Sequence, residues 1–530
     1  MLCNSLALLS AFAAFVCPII AQQPDDTCSA ASAKIALANS TVSSISHHKK
    51  GDAISLPGVN PTCGISAANI TSDLCRIVFD TATSSSSSVH FEAWLPDNWN
   101  GRFMATGGSG LSGCVNYIPV QNGAALGFAT LGMNSGHNGS FDLVSTFLSH
   151  PEVINDFGWR AAHVEAVVGK ELVEQFYGEK PEYNYYVGCS TAARQGLSTA
   201  THYPDDFDGM VLGAPGVEWI RIVAQWYLLA QRYGWPNVNT SAYVSYEQFD
   251  AITRKTVELF DGADGVNDGI IDNPTHLKLD PQIFSCGYGI LNDSMCLKNA
   301  EQVDSVRLAY EPMVDLEGRF VYPSFQLGAN PAAFAANAAD GVGNFTFSLL
   351  REYFRGVYFN DSSWDDTTLS IADVEAAVAA NVGLTNTGIS EAHLGAFKQA
   401  GGKILSYHGR ADGTVPSELT EWYFNNGVRA NLGASLPETL DFYRIFMIPG
   451  MGHCDTGDGS WNIGQVYPLD QSQLDAEHNM INALVKWVEE GQAPEILIGT
   501  KYQDDDATNE KLAQRMRDKV GPNFLAQTFR

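Results

Sequence analysis

The segment that indicates the fold most directly, residues 183–202, reads YNYYVGCSTAARQGLSTATH. Tyr183 to Val187 has the aromatic and apolar character of a buried strand, and Ala193 to His202 has the composition of a helix. The five residues between them, 188–192, form a tight turn with Ser190 at its centre. A strand–turn–helix of this kind lifts the serine hydroxyl out at the strand end, so Ser190 is the predicted nucleophile. The alternative is that Ser190 only caps the helix.

Two later strand ends supply the acid and the base that a serine nucleophile needs. Asp412 follows the predicted strand Lys403 to Tyr407, and His453 follows the predicted strand Phe442 to Ile448. A neutral imidazole takes the serine proton, and a carboxylate orients that imidazole and stabilises its charged form. The chain order Ser, Asp, His is that of the α/β-hydrolase fold. Taken singly, Asp412 could form an Asx turn, and His453 could be a loop histidine whose hydrogen bonds are made within the loop.

Neighbouring residues add to this arrangement. Cys189 precedes the proposed nucleophile and Cys454 follows the proposed base. If the serine and the histidine lie within hydrogen-bond reach, these cysteines are close enough to form a disulfide. His408 is the nearest rival histidine, but it precedes Asp412 and we interpret it as structural.

The oxyanion of an acyl-transfer reaction needs N–H donors. The Thr191 amide, which follows the nucleophile, is the first candidate. A second donor is expected from the glycine-rich loop Gly107 to Gly110, which follows the predicted strand Gly101 to Thr106. Within that loop, Gly108 and Ser109 are the candidates.

Alternating strands and helices predict an α/β protein whose parallel sheet is covered by helices on both faces. Further predicted elements are the strand Phe207 to Leu212, the helices Ala161 to Tyr177 and Leu474 to Glu490, and a single turn at Ser84 to Ser88. The strand series stops at Pro215 and resumes at Lys403. The intervening residues include the predicted helices Trp219 to Tyr233, Pro331 to Ala339 and Ile371 to Asn381. We expect a catalytic domain built from residues 22–215 and 400–530, with 216–399 inserted as a lid.

Several features predict an extracellular protein. Met1 to Ala21 is predicted to be a cleaved signal peptide, because Leu6 to Ile20 is almost wholly apolar. This run is short for a membrane anchor. Cys3 and Cys17 leave with the signal peptide, and the eight remaining cysteines suggest four disulfides. Sequons that fit a secreted glycoprotein occur at Asn39, Asn69, Asn138, Asn239, Asn292, Asn344 and Asn360.

The chain is acidic, with a net charge of −28. This charge repels phosphate backbones and anionic lipids, so neither nucleic acid nor a membrane is an expected partner. Excess acid can also hold a cation. The loop Asp261 to Ile270 places three carboxylates within eight residues, separated by glycines that let the chain curl. Oxygen ligands of this kind suit Ca²⁺, although the spacing is not that of an EF-hand and a solvated turn is the alternative.

These residues together resemble the fungal tannase and feruloyl esterase family. Residues 188–196, GCSTAARQG, are similar to its nucleophile segment Gly-Cys-Ser-x-Gly-Gly-Arg-x-Gly, and Asp412 and His453-Cys454 match its remaining catalytic motifs. WNGRF at 99–103, the glycine loop to Cys114 and YPDDFDG at 203–209 also match, and the resemblance runs from about Cys28 to about Pro494. The departures are Ala192-Ala193 in place of Gly-Gly, and Ser109 and Ser112 within the glycine run.

The resemblance implies an α/β-hydrolase fold with a large inserted lid that carries a structural Ca²⁺. The implied ligands are the side chains of Asp261, Asp264 and Asp268 with the carbonyls of Val266 and Ile270. No cofactor is implied for the chemistry itself. The resemblance also implies the disulfides Cys28–Cys75, Cys63–Cys114 and Cys286–Cys296.

The sequence therefore predicts a secreted serine esterase that releases ferulic or related hydroxycinnamic acids from plant cell-wall esters through an acyl-enzyme. One alternative keeps the mechanism but changes the acid, as in a tannase that acts on galloyl esters. The other alternative is a secreted binding protein on an inactive hydrolase fold.

Overall fold

The computed structural model describes residues 24–31, 33–139, 144–232, 240–315, 317–331, 351, 353–466, 474–501 and 517–520. The strands in these ranges are β1 (Ser40–His48), β2 (Ala53–Ser55), β3 (Ala67–Asn69), β4 (Leu74–Ala82), β5 (Ser88–Pro96), β6 (Arg102–Thr106), β7 (Ala129–Met133), β8 (Tyr183–Cys189), β9 (Gly209–Gly213), β10 (Met313–Val314), β11 (Phe320–Tyr322), β12 (Lys403–Gly409), β13 (Tyr443–Ile448), β14 (Leu497–Thr500) and β15 (Arg517–Val520). Nine of these described strands form one central sheet in the order β1-β4-β5-β7-β6-β8-β9-β12-β13.

Helices connect and cover these strands. The α-helices in the described ranges are Pro24–Ala31, Tyr117–Ala125, Val144–Phe147, Pro151–Asn155, Ala161–Tyr177, Thr191–His202, Trp219–Arg232, Tyr246–Phe260, Ala300–Ala309, Ile371–Ala380, Gly395–Gln399, Glu418–Trp422, Ala430–Leu432, Leu436–Leu440 and Met480–Glu490. Short 3₁₀ turns occupy Pro61–Cys63, Asp261–Asp264, Pro274–His276, Pro281–Phe284, Asp366–Thr368, Val382–Leu384 and Ile389–Glu391, and π turns occupy Asp156–Arg160, Tyr353–Tyr358 and Tyr423–Arg429.

The sheet is mixed, which corrects the expectation of a parallel sheet. From β7 through β6, β8, β9 and β12 to β13 the neighbours are parallel, whereas β1, β4, β5 and β7 pair antiparallel. The serine-rich turn predicted at Ser84 to Ser88 joins β4 to β5, and the Thr83 N–H donates to the Ser87 carbonyl across it at 3.0 Å. A connection this short can join only antiparallel strands.

The predicted strands that lead to the site are present, with their ends shifted by one or two residues. The strand predicted at Phe207 to Leu212 is β9, which begins at Gly209, and β12 continues two residues beyond Tyr407 to Gly409. The helix Ala161–Tyr177 has the predicted bounds. The helix expected from Leu474 begins at Met480, where Asn479 caps it by accepting from the Ile481 and Asn482 amides.

Alternation along the parallel strands directs side chains to two cores, one on each face of the sheet. On β6, Phe103 points toward helix Ala161–Tyr177, and Gly169 of that helix leaves the space that the ring occupies. Met104 points to the opposite face, into the core that contains Leu484 of helix Met480–Glu490. The sheet is therefore covered by helices on both faces, as predicted.

The strand series is interrupted at the predicted place. β9 ends at Gly213 and pairs in parallel with β12, which begins at Lys403. Within the described part of this interval, the chain forms helices, turns and the small β10–β11 hairpin. Trp226 of the first helix donates its indole N–H to the Thr414 carbonyl at 2.8 Å. The inserted segment therefore contacts the loop that follows β12, which is the placement expected of a lid, while the bounds 216–399 stay a prediction.

Some predictions fall outside the described residues. These are the signal peptide Met1 to Ala21, the sequons at Asn239 and Asn344, and the helix predicted from Pro331 to Ala339 beyond its first residue. The sequon asparagines that the structure describes, at 39, 69, 138, 292 and 360, are all exposed. Within the described ranges, no helix is both long enough and apolar enough to cross a membrane.

Candidate active site

Ser190 lies in the turn between β8 and helix Thr191–His202, with φ 60° and ψ −122°. A residue with a side chain rarely adopts a positive φ of this kind, and the neighbouring backbone holds it there. The Ser190 N–H donates to the Gly213 carbonyl at 2.9 Å, and the Ser190 carbonyl accepts from the Gly216 amide at 3.0 Å and the Arg194 amide at 3.1 Å. This strained serine at a strand end has the geometry of a nucleophile elbow.

Small residues allow the chain to pass closely around the elbow. A Cβ added to Gly188 would lie 2.5 Å from the Ala192 Cβ, and one added to Gly107 would lie 2.7 Å from the same atom. The Ala192 methyl group therefore occupies space that two facing glycines leave open. This packing explains how the chain accepts alanine where the resembling family has glycine.

Asp412 and His453 meet across the ends of two adjacent strands, β12 and β13. The His453 Nδ1 lies 2.6 Å from the Asp412 Oδ2. The Asp412 Oδ1 accepts the Thr414 amide at 2.7 Å and the Val415 amide at 2.9 Å. These backbone bonds form the turn that the sequence suggested as an alternative, so one carboxylate both closes its turn and contacts the imidazole.

The carboxylate of Asp412 is buried and charged. Burial pushes its pKa upward, but the charge of His453 and the hydrogen bonds from His408 and His453 outweigh that effect and hold the pKa below its ordinary value. For His453, burial lowers the pKa, whereas the Asp412 charge and hydrogen bond raise it, and the net shift is upward. With Nδ1 committed to Asp412, Nε2 is the ring nitrogen left to accept a proton.

His408 has a contact that the sequence interpretation did not include. It is fully buried, and its Nε2 lies 2.9 Å from the Asp412 Oδ2, so it contacts the same oxygen as His453. Sequence reasoning set His408 aside because of its order in the chain. Its spacing of four residues before Asp412 at a strand end was the available signal.

The structure contains four disulfides among its described residues: Cys28–Cys75, Cys63–Cys114, Cys189–Cys454 and Cys286–Cys296. All four are the expected pairs. Cys189–Cys454 joins the residue before Ser190 to the residue after His453, with the two Cα atoms 5.9 Å apart. This bridge keeps the loops of Ser190 and His453 side by side.

The glycine-rich loop after β6 packs against the start of helix Thr191–His202. The Thr191 hydroxyl donates to the Gly110 carbonyl at 2.8 Å, and the Gly108 amide donates to the Gln195 Oε1 at 3.3 Å. Gln195 was not singled out from the sequence. Since the Gly108 amide is engaged by this side chain, the Thr191 and Ser109 amides are the better candidates for oxyanion donors, and all three assignments stay predictions.

The Asp-rich loop curls back on itself, with residues 262–269 exposed and Ile270 buried. The Asp261 Oδ1 accepts the Asp268 amide at 3.0 Å and the Gly269 amide at 2.9 Å, and the Asp264 Oδ1 accepts the Val266 amide at 2.8 Å. The oxygen donors fit Ca²⁺ in type. Across the described part of the chain, however, no group of three or more His, Cys, Asp or Glu side chains is arranged to hold a metal. Calcium binding by Asp261, Asp264, Val266, Asp268 and Ile270 therefore stays a prediction.

A nucleophile elbow, an acid–histidine pair at two neighbouring strand ends and an inserted segment over that edge define an α/β-hydrolase of the serine type. The chain belongs to the tannase and feruloyl esterase family, whose model matches residues 75–519. It is therefore a carboxylic ester hydrolase.

Individual relatives agree with this assignment. The chain is 36% identical over 478 residues to a probable feruloyl esterase B-2 of Neosartorya fischeri, covering 90% of this chain and 88% of that one. The crystal structure of feruloyl esterase B from Aspergillus oryzae superposes with a TM-score of 0.84 at 32% identity, covering 94% and 95% of the two chains. A tannin acyl hydrolase from Aspergillus niger, at 21% identity and a TM-score of 0.70 over 94% and 92%, shares the fold.

Proposed function

We propose that the protein is a secreted serine esterase that releases ferulic or related hydroxycinnamic acids from plant cell-wall esters, with Ser190, His453 and Asp412 as its catalytic triad. The observation that carries the proposal is the 2.6 Å hydrogen bond between Asp412 and His453, beside the Cys189–Cys454 bridge. A base oriented by a buried carboxylate, with its loop joined to the loop of a strained serine, is the arrangement that activates a hydroxyl.

In the first half of the reaction, the His453 Nε2 takes the Ser190 proton as Oγ attacks the ester carbonyl carbon. The carbonyl oxygen gains negative charge, which the Thr191 and Ser109 amides would stabilise. The imidazolium formed on His453 is stabilised by the ionised Asp412, whose pKa is lowered. His453 then protonates the leaving alcohol, the ester C–O bond breaks, and the acyl group stays on Ser190.

In the second half, water enters where the alcohol departed. His453 removes a proton from this water as the water oxygen attacks the acyl carbon. The tetrahedral intermediate that forms has its oxyanion at the same N–H donors. Collapse of the intermediate breaks the bond to the Ser190 Oγ, which regains its proton from His453. The free phenolic acid leaves, and the enzyme returns to its starting state without any cofactor.

The acyl group is inferred from the relatives. The chains that match at 36% and 32% identity bear the name feruloyl esterase B, whereas the tannin acyl hydrolase at 21% identity supports the fold alone. We therefore favour hydroxycinnamate over gallate. The expected substrates are phenolic esters of plant cell-wall polysaccharide.

The function is tested by hydrolysis of methyl ferulate, methyl caffeate and methyl gallate by the wild type and by Ser190→Ala. Removing the serine is expected to lower kcat by roughly a millionfold, the loss seen when such a nucleophile is deleted. Retention of near-full activity in Ser190→Ala would end the proposal. Preference for methyl gallate would indicate a tannase, and failure of a fluorophosphonate to label wild-type Ser190 would favour the binding-protein alternative.

Secretion, glycosylation and calcium belong to the same proposal. Disulfides persist in oxidising compartments, and the four bridges support an extracellular location for the mature chain. The exposed asparagines 39, 69, 138, 292 and 360 would accept glycans. Ca²⁺ held by the carboxylates of Asp261, Asp264 and Asp268 would cross-link the exposed loop of the inserted segment and take no part in the chemistry.

A further inference from the structure

His408 stands at the end of β12 with no exposed surface. Its Nε2 lies 2.9 Å from the Asp412 Oδ2 and 3.1 Å from the Val415 carbonyl oxygen. Its Nδ1 lies 2.7 Å from the Thr420 Oγ1. Both ring nitrogens therefore have partners, and the partners differ in kind.

The partners determine where the ring carries its proton. A carboxylate oxygen and a carbonyl oxygen can only accept, so Nε2 bears hydrogen in either charge state of the ring. The Thr420 hydroxyl can donate to Nδ1 or accept from it. His408 consequently donates to the Asp412 Oδ2, the same oxygen that accepts from His453.

Within the described residues, Asp412 thus accepts four N–H groups, two on each oxygen. The two backbone donors on Oδ1 belong to the turn that Asp412 itself forms, so they move with it. His408 belongs to β12, which is hydrogen-bonded to β9 on one side and β13 on the other. It is the donor that ties the carboxylate to the rigid sheet rather than to a loop.

We propose that His408 is a positioning residue that holds the Asp412 Oδ2 in line with the His453 Nδ1, so that β12 fixes the orientation of the catalytic base. The proposal rests on the proposed triad. It attributes the fixed position of the Asp412 carboxylate to a side chain outside that triad.

In the described part of the chain, the other titratable groups near Asp412 make no hydrogen bond to the His408 ring. The Arg410 guanidinium, two residues along, bonds both oxygens of Glu421 at 3.0 Å. Burial raises the pKa of the Tyr322 phenol in the inserted segment, and the charges of Glu218 and Asp412 raise it further. Asp455 lies beside His453. The partners that reach the His408 ring itself are Asp412, Val415 and Thr420.

The loss of the His408 donor has a defined effect on pH dependence. An Asp412 carboxylate with one donor fewer is harder to keep ionised, so its pKa rises. A carboxylate that is no longer held in line with Nδ1 also raises the pKa of His453 less, so that pKa falls. Since His453 must be neutral to act as the base, the acidic limb of the rate profile moves to lower pH.

Two substitutions by amide side chains test the contacts of the two ring nitrogens separately. In His408→Gln, the side-chain amide reaches the position of Nε2 and can still donate to Asp412. In His408→Asn, it reaches the position of Nδ1, toward Thr420, and falls short of Asp412. Thr420→Val is the matched control, because it removes the partner of Nδ1 and leaves the bond to Asp412.

The experiment measures kcat, KM and the pH profile on methyl ferulate, together with the rate at which a fluorophosphonate labels Ser190. We expect His408→Asn to lose at least tenfold in kcat and in labelling rate, with KM within about twofold and the acidic limb at lower pH. His408→Gln and Thr420→Val should stay within about threefold of wild type. Thermal unfolding of each variant establishes that it is folded at the assay temperature.

Equal losses in His408→Gln and His408→Asn, or near-wild-type kcat in His408→Asn, would overturn the proposal. If His408→Asn does not fold, the test compares His408→Gln with Thr420→Val. A fluorophosphonate labelling rate of folded His408→Gln that is tenfold or more below that of Thr420→Val would then overturn the proposal. The labelling reaction needs only an activated serine. A wild type that is labelled but does not hydrolyse feruloyl esters therefore contradicts the substrate assignment and leaves this test intact.

Discussion

The His453 Nδ1 and the Asp412 Oδ2 lie 2.6 Å apart although 41 residues separate them in the chain. They meet because β12 and β13 are parallel neighbours, so the loops that follow the two strands emerge at the same edge of the sheet. Burial of the carboxylate gives this contact its chemical strength, since a charge in a site of low dielectric interacts more strongly than one in water.

The first prediction concerns this contact. Asp412→Asn should lower kcat/KM on methyl ferulate by about 10⁴-fold, because the amide favours the wrong imidazole tautomer and does not stabilise the imidazolium. Its oxygen can still accept the Thr414 and Val415 amides, so the turn should persist. Asp455→Asn is the control, and we expect a loss below about tenfold. Similar losses in both variants would argue against a special role for Asp412.

The second prediction concerns pH. His453 must be neutral to act as a base, and its folded-state pKa is raised above the ordinary 6.5. The acidic limb of kcat/KM should therefore show an apparent pKa above 6.5. The same shift stabilises the fold below the unfolded-state pKa of the histidine and is lost as pH rises through the folded-state value. A limb at or below 6.5 in the measured rate profile would contradict the assignment of His453.

The lowered pKa of Asp412 works in the opposite sense, which yields a third prediction. Its contribution to stability is present above the ordinary carboxyl pKa of 3.8 and is lost as pH falls through the lower, folded-state pKa. Stability below pH 3.8 should therefore fall less steeply in Asp412→Asn than in the wild type. Denaturant unfolding at a series of acidic pH values measures this difference, and parallel curves would refute it.

The fourth prediction compares two disulfides. Loop-closure entropy gives roughly 5–6 kcal/mol for Cys189–Cys454, which spans a separation of 265 residues, and roughly 3 kcal/mol for Cys286–Cys296, with a separation of 10. Double Cys→Ala replacement of the first pair should therefore lower the Tm more than replacement of the second. It should also lower kcat at temperatures where the variant is folded. If the Cys286–Cys296 variant loses as much kcat, the bridge beside Ser190 has no special part in catalysis.

The fifth prediction concerns the Asp-rich loop. If Ca²⁺ binds there, a chelator should lower the Tm of the wild type, since ligand that binds only the folded state adds stability by mass action. Asp261→Ala should have the lower Tm already and respond little to the chelator. Asp304→Ala, which alters an exposed acid of the same inserted segment, should respond as the wild type does. A wild-type Tm unaffected by chelation, with no calcium found in the purified protein, would remove the metal from the proposal.

The strands that could be predicted were those marked by a pattern of neighbouring residues. A buried strand that ends in a glycine turn leaves a short apolar run followed by small residues, and β8 and β12 both have this pattern. β1 escaped prediction because its sequence is STVSSISHH and its side chains are mostly exposed or half-buried. Backbone hydrogen bonds to β4 place it in the sheet, and such bonds leave little trace in side-chain composition.

The reactive groups, their order along the chain and the turns that carry them could be read from the residues alone, because a nucleophile elbow and an Asx turn depend on residues a few positions apart. The folded arrangement was needed to show that two imidazoles share one oxygen of Asp412, that Gln195 accepts from the Gly108 amide and that one side of the sheet is antiparallel. These features depend on which strand lies beside which. Contacts between residues far apart in the chain are selected by packing of the whole core.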